Sequence, residues 1–168
     1  DNQKKKEVIS ILVDNQANVL TRVISLFGRR GFNIDSLTVS TTNDPKLSRI
    51  TVYHGNGTGT SPDHSQTAKL EVVRKIFTLD SAHSIYRELL LLKVHADKTE
   101  RSAIKEIVEI YRGNIVDLSK ESLIIELTGH SDKIDGFMDM MSCYDIAEVC
   151  RTGITGIGRG PGWDEVDD

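Results

Sequence analysis

The chain has 168 residues and a formal net charge of −4, which argues against nucleic-acid binding because such proteins normally present a basic face. Aromatic residues make up only 5% of it, so few side chains are available to stack on bases. No apolar stretch reaches the roughly 20 residues that a membrane-spanning helix needs. The two cysteines, Cys143 and Cys150, are too few for a disulfide scaffold and fit a reducing compartment.

The first half of the chain opens with a predicted strand, a turn and an amphipathic helix. Val8 to Val13 form a nearly continuous apolar run, which is typical of a strand covered on both faces. The polar residues 14–18 interrupt this run and can cap a helix. Gly31 is expected to end that helix in a left-handed conformation. The helix itself is predicted by an apolar stripe at Leu20, Val23, Ile24 and Phe27.

A hairpin, a loop and a closing strand complete the first half. Turn-forming residues separate two strand-like runs, 33–42 and 47–54. A flexible loop follows, and a short helix through Leu70 is expected, capped by Ser61 or Asp63. Apolar residues over 72–79 then predict a closing strand. The predicted order is βαββαβ.

The second half repeats this order after a linker at 80–84. Its predicted segments are a strand from Leu89 to Val94, a helix striped by Ile104, Ile107, Val108 and Tyr111 and ended by Gly113, strands 114–119 and 123–127, a helix capped by Ser131 or Asp132, and a strand from Ile146 to Cys150. We therefore predict an α+β protein with two tandem ferredoxin-like βαββαβ domains, 1–80 and 81–158. Each is expected to be an antiparallel sheet with both helices on one face. Residues 159–168 are expected to form an acidic, disordered tail.

A search for catalytic residues favours a binding protein over an enzyme. The five histidines lack the spacing of metal ligands, and the two cysteines suit small core residues better than a nucleophile. The glycine-rich segment 55–59 lacks the Gly-Lys-Ser/Thr ending of a phosphate loop and the glycine spacing of a dinucleotide site. No Ser/His/Asp arrangement or carboxylate pair stands out. We therefore expect no catalytic residue, no metal and no cofactor on this chain.

The turn at 14–18 is a candidate binding site. A helix that starts there offers unpaired backbone N–H groups beside short polar side chains, which suits a small anion such as a carboxylate. Capping residues are also expected at any helix start, so the turn alone does not establish a site. Asn15 and Asn33 lie at corners of the same unit and add amides that can hydrogen-bond a ligand. The apolar first strand further predicts that the second sheet face or the sheet edge meets another domain or subunit.

Motifs in both halves occur in an order and spacing that match one protein family. In the first half they are Asp14-Asn15, Leu20-Thr21-Arg22-Val23, the run from Arg29 to Val39, and Leu47 to Thr51. In the second half they are Arg87-Glu88-Leu89, Lys93-Val94, Arg112-Gly113, Val116-Asp117, Leu127-Thr128-Gly129, Glu148-Val149 and Arg151-Thr152-Gly153. Over about residues 7–158 the chain resembles the regulatory small subunit of acetolactate (acetohydroxyacid) synthase.

The resemblance implies an N-terminal ACT domain and a second ferredoxin-like domain, in a subunit without catalysis of its own. Such a subunit binds and activates a large catalytic subunit, which holds thiamine diphosphate, magnesium and flavin. It also confers feedback inhibition by valine or another branched-chain amino acid, bound between the ACT domains of a homodimer. The effector-binding residues carried over are Asn15, Gln16, Ala17, Asn18, Val19, Leu20, Asn33 and Ile34.

Each part of the implied effector has an expected partner. Backbone N–H groups of the turn would take the carboxylate, and the amide oxygen of Asn15 or Asn33 would take the ammonium. Leu20 and Ile34 would face the branched side chain. The family pattern has glycine where this chain has Asn18.

One alternative stays open, namely a stand-alone sensing protein, enzyme or nucleic-acid binder on a doubled ferredoxin-like scaffold, since this fold hosts many functions. The acidic charge, the sparse aromatics and the missing catalytic arrangement speak against it. The expected location is the cytoplasm, or the interior of a plastid or mitochondrion if a transit peptide was removed before Asp1.

Overall fold

The computed structural model describes residues 7–29, 31, 33–54 and 67–161. The chain divides into two compact units, residues 1–86 with 153–168, and residues 87–152. This division differs from the expected domains 1–80 and 81–158, because the chain comes back to the first unit at Gly153. Such a return depends on long-range contacts, and the periodicity of the sequence does not reveal it.

The first unit contains an antiparallel sheet with the strand order β2-β3-β1-β4. Its elements are β1 (Glu7–Asp14), α1 (Val19–Arg29), β2 (Ser36–Thr41), β3 (Leu47–His54) and β4 (Val73–Leu79). The predicted hairpin is confirmed, although β2 begins at Ser36 and not at Asn33. The helix expected up to Leu70 lies mostly outside the described residues. Of its described part, Thr67 and Ala68 are helical, and the N–H of Leu70 donates to the Thr67 carbonyl at 3.1 Å.

Helix α1 packs on one face of this sheet. Its buried residues are Val19, Val23 and Phe27, so the predicted stripe was wrong at Leu20, which is 38% exposed. They contact the β1 residues that point to this face, Ile9, Ile11 and Val13. Gly31 has φ 72° and follows the helix, as expected for its C-terminal corner. Each fully buried side chain of this kind stabilises the fold by about 1.5–3 kcal/mol.

Part of the opposite face of β1 is covered by the end of the same chain. Val8, Ser10 and Leu12 point to this face and are all buried. Ile154 packs in one cluster with Val8, and β9 (Thr155–Gly158) pairs with β5 (Ser84–His95). The sequence predicted that another domain or subunit meets the second face or the sheet edge, but at Val8 the cover comes from this returning segment of the same unit. Strand β9 itself was not predicted.

Two glycines allow the returning segment to come so close. Gly153 has φ 78°, and a Cβ there would lie 2.3 Å from the Cβ of Ser36. A Cβ at Gly156 would lie 2.7 Å from the ring of Tyr86 and 3.0 Å from the Ile85 carbonyl. Because only glycine lacks this atom, the segment 153–156 depends on it at both positions. The same small residues weaken any strand signal, which explains why the sequence did not reveal β9.

The second unit also contains an antiparallel sheet, with the order β6-β7-β5-β8. Its elements are β5 (Ser84–His95), α2 (Lys98–Ile110), β6 (Asn114–Leu118), β7 (Ser122–Gly129), α3 (Ser131–Met141) and β8 (Asp145–Arg151). Both helices pack into one core with β5 and β7. The Asp97 carboxylate caps α2 and accepts from the N–H groups of Thr99 and Glu100, both at 2.9 Å. The predicted α+β class and the ferredoxin-like strand order are thus confirmed.

Three local predictions in this unit need correction. The N-cap position of α3 is His130, whose side chain makes no capping hydrogen bond, and not Ser131 or Asp132. The Ser131 hydroxyl instead donates to Glu88 Oε2 at 3.0 Å. Cys143 and Cys150 were expected in the core, but both are exposed. Cys143 follows α3 in a turn, and Cys150 lies on β8, the last strand in the order β6-β7-β5-β8.

The end of α2 also differs from its prediction, because the left-handed residue is Arg112, with φ 59°, and not Gly113. The N–H of Gly113 donates to the Val108 carbonyl at 2.8 Å, as in a Schellman motif. Gly113 is required for a different reason. A Cβ there would lie 3.1 Å from the Glu126 carbonyl oxygen and 3.3 Å from Cγ1 of Val108.

The described helices include none that is long and apolar enough to span a bilayer. At the other end of the described chain, the N–H of Arg159 donates to the His83 carbonyl at 2.7 Å. Arg159, the first residue of the predicted tail, is therefore hydrogen-bonded to the first unit. Its residues 162–168 lie outside the described part.

Gly113→Ala is predicted to destabilise the protein by about 1–3 kcal/mol, because the backbone carbonyl of Glu126 must move to admit a Cβ. Gly28→Ala is the matched control, since a Cβ at this exposed helical position meets nothing within 4 Å. It should stabilise the protein by about 0.5–1 kcal/mol through its better helix propensity. Urea unfolding of both variants checks the two signs, and an unchanged midpoint for Gly113→Ala would contradict the packing argument.

Candidate ligand site

The turn that follows β1 is held on three sides by backbone hydrogen bonds. The N–H of Asp14 donates to the Val72 carbonyl at 2.8 Å, just before β4, and the N–H of Asn15 donates to the Lys46 carbonyl at 2.8 Å, in the β2–β3 hairpin. The N–H of Gln16 donates back to the Asp14 carbonyl at 2.9 Å. The first three residues of the turn are therefore fixed, and the Gln16 N–H is already paired.

A salt bridge adds a side-chain anchor at the same place. Arg74 on β4 reaches the Asp14 carboxylate with two nitrogens, at 2.6 and 2.9 Å. This hydrogen-bonded carboxylate raises the pKa of Arg74 above its ordinary value. Sequence reasoning missed the pair, because Asp14 and Arg74 are 60 residues apart and neither belongs to a recognisable motif.

The next four residues offer their backbone N–H groups to a ligand. Within the described part of the chain, the N–H groups of Ala17, Asn18, Val19 and Leu20 donate to no protein acceptor. They belong to the first turn of α1, where the helix cannot pair them, since the first helical hydrogen bond runs from the Arg22 N–H to the Asn18 carbonyl at 3.2 Å. Unpaired N–H groups at the positive end of a helix bind carboxylates well.

Asn18 holds the left-handed conformation that shapes this turn, with φ 69°. This conformation is sterically unfavourable for most residues with a Cβ, whereas glycine adopts it freely and asparagine tolerates it. A glycine or an asparagine is therefore the residue that the backbone favours here.

The side chains of the turn divide into polar and apolar groups. Nδ2 of Asn15 donates to the Pro45 carbonyl at 3.2 Å, and this leaves Oδ1 as the atom of the amide that can accept a hydrogen from a ligand. Leu20 is exposed beside it, while the side chain of Val19 is buried in the core. Only the backbone of Val19 can therefore reach a ligand.

Asn33 and Ile34 lie at the other end of the sheet. The Asn33 carbonyl accepts a hydrogen bond from Nδ1 of His54, the last residue of β3, at 2.6 Å. The turn, by contrast, lies at the first residue of β3, where Asp14 pairs with Leu47. At about 3.3 Å per residue, this strand separates the two ends by roughly 20 Å. One chain therefore does not bring the turn and Asn33 together.

The described residues contain no group of three or more histidine, cysteine or acidic side chains that could hold a metal ion. The chemistry of the turn is that of an anion site with one amide acceptor and one exposed apolar side chain.

Comparison with known proteins gives this geometry a family context. A model of the AHAS small subunit-like ACT domain matches residues 9–73, and a model of the small subunit of acetolactate synthase matches residues 87–160. A probable acetolactate synthase small subunit from Archaeoglobus fulgidus is 44% identical over 92% of this chain and 98% of its own length. The chain belongs to the acetolactate synthase small subunit family.

Other members of the acetolactate synthase small subunit family agree with this assignment. A putative acetolactate synthase small subunit from Mycobacterium tuberculosis is 40% identical over 94% of both chains. The crystal structure of the acetolactate synthase small subunit from Thermotoga maritima superposes with a TM-score of 0.83 and 34% identity, over 94% of this chain and 99% of that one. The similarity thus spans both units and includes the returning segment up to residue 160.

Variants at Asn18 are predicted to separate backbone strain from side-chain contacts. Asn18→Gly should change the free energy of unfolding by only a few tenths of a kcal/mol, because glycine is at ease with positive φ. Asn18→Ala should lower the free energy of unfolding by about 1 kcal/mol, because the left-handed conformation is sterically unfavourable for alanine. Thermal and urea unfolding measure both, and equal stability of the alanine and glycine variants would show that the left-handed conformation carries no cost here.

Proposed function

We propose that this protein is a non-catalytic regulatory subunit that binds and activates the catalytic subunit of acetolactate synthase. The observation that carries the proposal is the match to acetolactate synthase small subunits across both units, at up to 44% identity in the comparisons above. The name "small subunit" implies a larger partner that performs catalysis. In the proposal, that partner holds thiamine diphosphate, magnesium and flavin.

We further propose that the turn binds the carboxylate of valine or another branched-chain amino acid. The four unpaired N–H groups of residues 17–20 would hold the carboxylate, and Oδ1 of Asn15 is free to accept from the ammonium. Leu20, exposed in the same turn, supplies apolar surface for a branched side chain. Both charged groups of the ligand would thus have hydrogen-bond partners in the turn.

The remaining ligand contacts are proposed to come from a second copy of the chain. Strand β2 is an edge strand, and antiparallel pairing with the β2 of a second copy would set the start of one strand beside the end of the other. The start of β2 follows Asn33 and Ile34, and its end leads into the hairpin that holds Asn15. This pairing would bring the Asn33 of one copy to the turn of the other. The homodimer would thus complete two identical sites.

A mixing assay tests the catalytic side of the proposal. The purified chain alone should turn over no pyruvate, because the described residues offer no metal cluster and no catalytic arrangement. Added to a cognate catalytic subunit, it should raise the rate of acetolactate formation, and valine should lower that rate again. Pyruvate turnover by the isolated chain, or no effect on the catalytic subunit, would contradict the proposal.

Asn33→Ala is predicted to weaken inhibition by valine far more than it weakens folding. Loss of a hydrogen bond to a charged ammonium costs roughly 1.5–3 kcal/mol, or about ten- to a hundredfold in affinity. An exposed residue whose side chain makes no hydrogen bond within the described chain should cost the fold less than about 1 kcal/mol. Asn114→Ala, at the corresponding corner of the second unit, is the control and should leave inhibition unchanged.

Mixed dimers sharpen this test. Asn15→Ala and Asn33→Ala should each impair both sites of a homodimer. A dimer with one chain of each kind would contain one doubly altered site and one intact site, because each site takes its turn from one chain and its Asn33 from the other. Titration calorimetry should then recover about half of the valine sites at wild-type affinity. No recovery would mean that the ligand contacts come from a single chain.

A further inference from the structure

A second cavity lies within the first unit, on the sheet face opposite to α1. It has a volume of about 540 Å³, within the usual range for small-molecule sites. Its walls come from β3, from the end of β4, from the turn at 80–84 and from the returning segment. Phe77, Leu79 and Ile157 make the walls largely apolar. None of the residues of the proposed valine site lines it.

Arg49 brings a positive charge into this cavity without an anionic partner. Its guanidinium donates from Nη1 to the Gly156 carbonyl at 3.5 Å, and within the described chain no carboxylate pairs with it. Burial lowers the pKa of Arg49, as expected for a cation that has lost water and gained no counter-charge. A guanidinium carries five N–H donors, so most of them remain available to a ligand.

Several other cations of the described chain are paired with carboxylates. Arg74 has the Asp14 carboxylate, Arg151 has those of Glu88 and Asp135, and Lys93 has that of Glu148. Unpaired charge in a low-dielectric site is costly, so a cation is normally buried together with its counter-ion. Arg49 has no such carboxylate within the described chain, and it lines an open cavity.

The other charged groups of the cavity leave it net positive. Arg159 is exposed at its edge, and the Asp80 carboxylate is already paired with Nδ1 of His83 at 2.7 Å. An entering ligand therefore meets two guanidinium groups and one carboxylate, which is already hydrogen-bonded to His83 and to the Ala82 N–H. The planar fork of arginine matches a carboxylate in a bidentate contact.

We propose that this cavity binds a small carboxylate with an apolar body, whose carboxylate pairs with Arg49 and whose body lies against Phe77, Leu79 and Ile157. The site is separate from the valine turn, since Arg49 takes no part in the contacts of that turn. It needs no ammonium on the ligand, because the cavity offers no unpaired anion to receive one. The inference stands whether or not the proposed regulation by valine holds.

Titration of the full chain with 4-methylpentanoate, followed by NMR amide shifts, tests the proposal. The amides of 156–160 should shift in a saturable way, while those of 17–20 stay in place. 4-Methylpentanamide, which has the same body and no charge, should bind at least about tenfold more weakly. Inorganic phosphate tests whether the cavity requires the apolar body of the ligand or binds any small anion. Binding of phosphate as tightly as 4-methylpentanoate would contradict the role proposed for the apolar body.

Two variants and two controls complete the experiment. Arg49→Gln should raise the Kd for 4-methylpentanoate by roughly tenfold or more, and Ile157→Glu should do the same by placing a negative charge at an exposed position of the cavity wall. Ile157→Glu decides the matter if Arg49→Gln does not fold. Arg29→Gln, which removes an exposed charge on α1, and Asn33→Ala should both leave this Kd unchanged. Equal affinity in wild type and both cavity variants, or shifts confined to 17–20, would overturn the proposal.

Discussion

The first unit depends on a central strand that must be covered on both faces. Strand β1 pairs with β3 on one side and with β4 on the other, and its residues from Val8 to Val13 are all buried. Helix α1 can cover only one face. On the other face, Val8 is covered by a segment much further along the chain, which comes back through Gly153 and Ile154. Burying this apolar surface provides the free energy that orders the returning segment.

This burial also fixes the turn that follows β1. Since the strand cannot shift without exposing one of its faces, its last residue is held in register with Leu47 of β3. Hydrogen bonds to Val72 and Lys46 and the pair with Arg74 then hold the turn itself. The N–H groups of residues 17–20 are consequently oriented before any ligand arrives. A ligand that finds its donors in place pays less conformational entropy on binding.

In the second unit, a buried carboxylate and its hydrogen bonds join the elements, whereas apolar packing joins them in the first unit. Glu88 is 4% exposed and accepts hydrogen bonds from Arg151 at 2.7 and 3.0 Å and from the Ser131 hydroxyl at 3.0 Å. It thereby joins β5, β8 and the start of α3. Arg151 is held further by Asp135, at 2.9 Å, and these carboxylates raise its pKa. Because the buried Glu88 carboxylate has Arg151 as its partner, the network specifies how α3 sits on its own sheet.

Apolar periodicity and the placement of turn residues were enough to predict β1, α1, the β2–β3 hairpin and the repeated order of the second unit, because these features depend on which face of a local element is apolar. The motifs were enough to predict the family. Local pattern does not say what covers an apolar face, so β9 and the reach of Ile154 to Val8 were decided only in the folded chain. The salt bridge between Asp14 and Arg74 was likewise decided only in the folded chain, because the two residues are distant in sequence. The sequence also does not show that Arg49 lacks a carboxylate partner within the described chain. Even the corner at Arg112 and Gly113 was settled by tertiary packing: the glycine was plain in the sequence, but its need to lie against Glu126 appeared only when β7 was placed beside it.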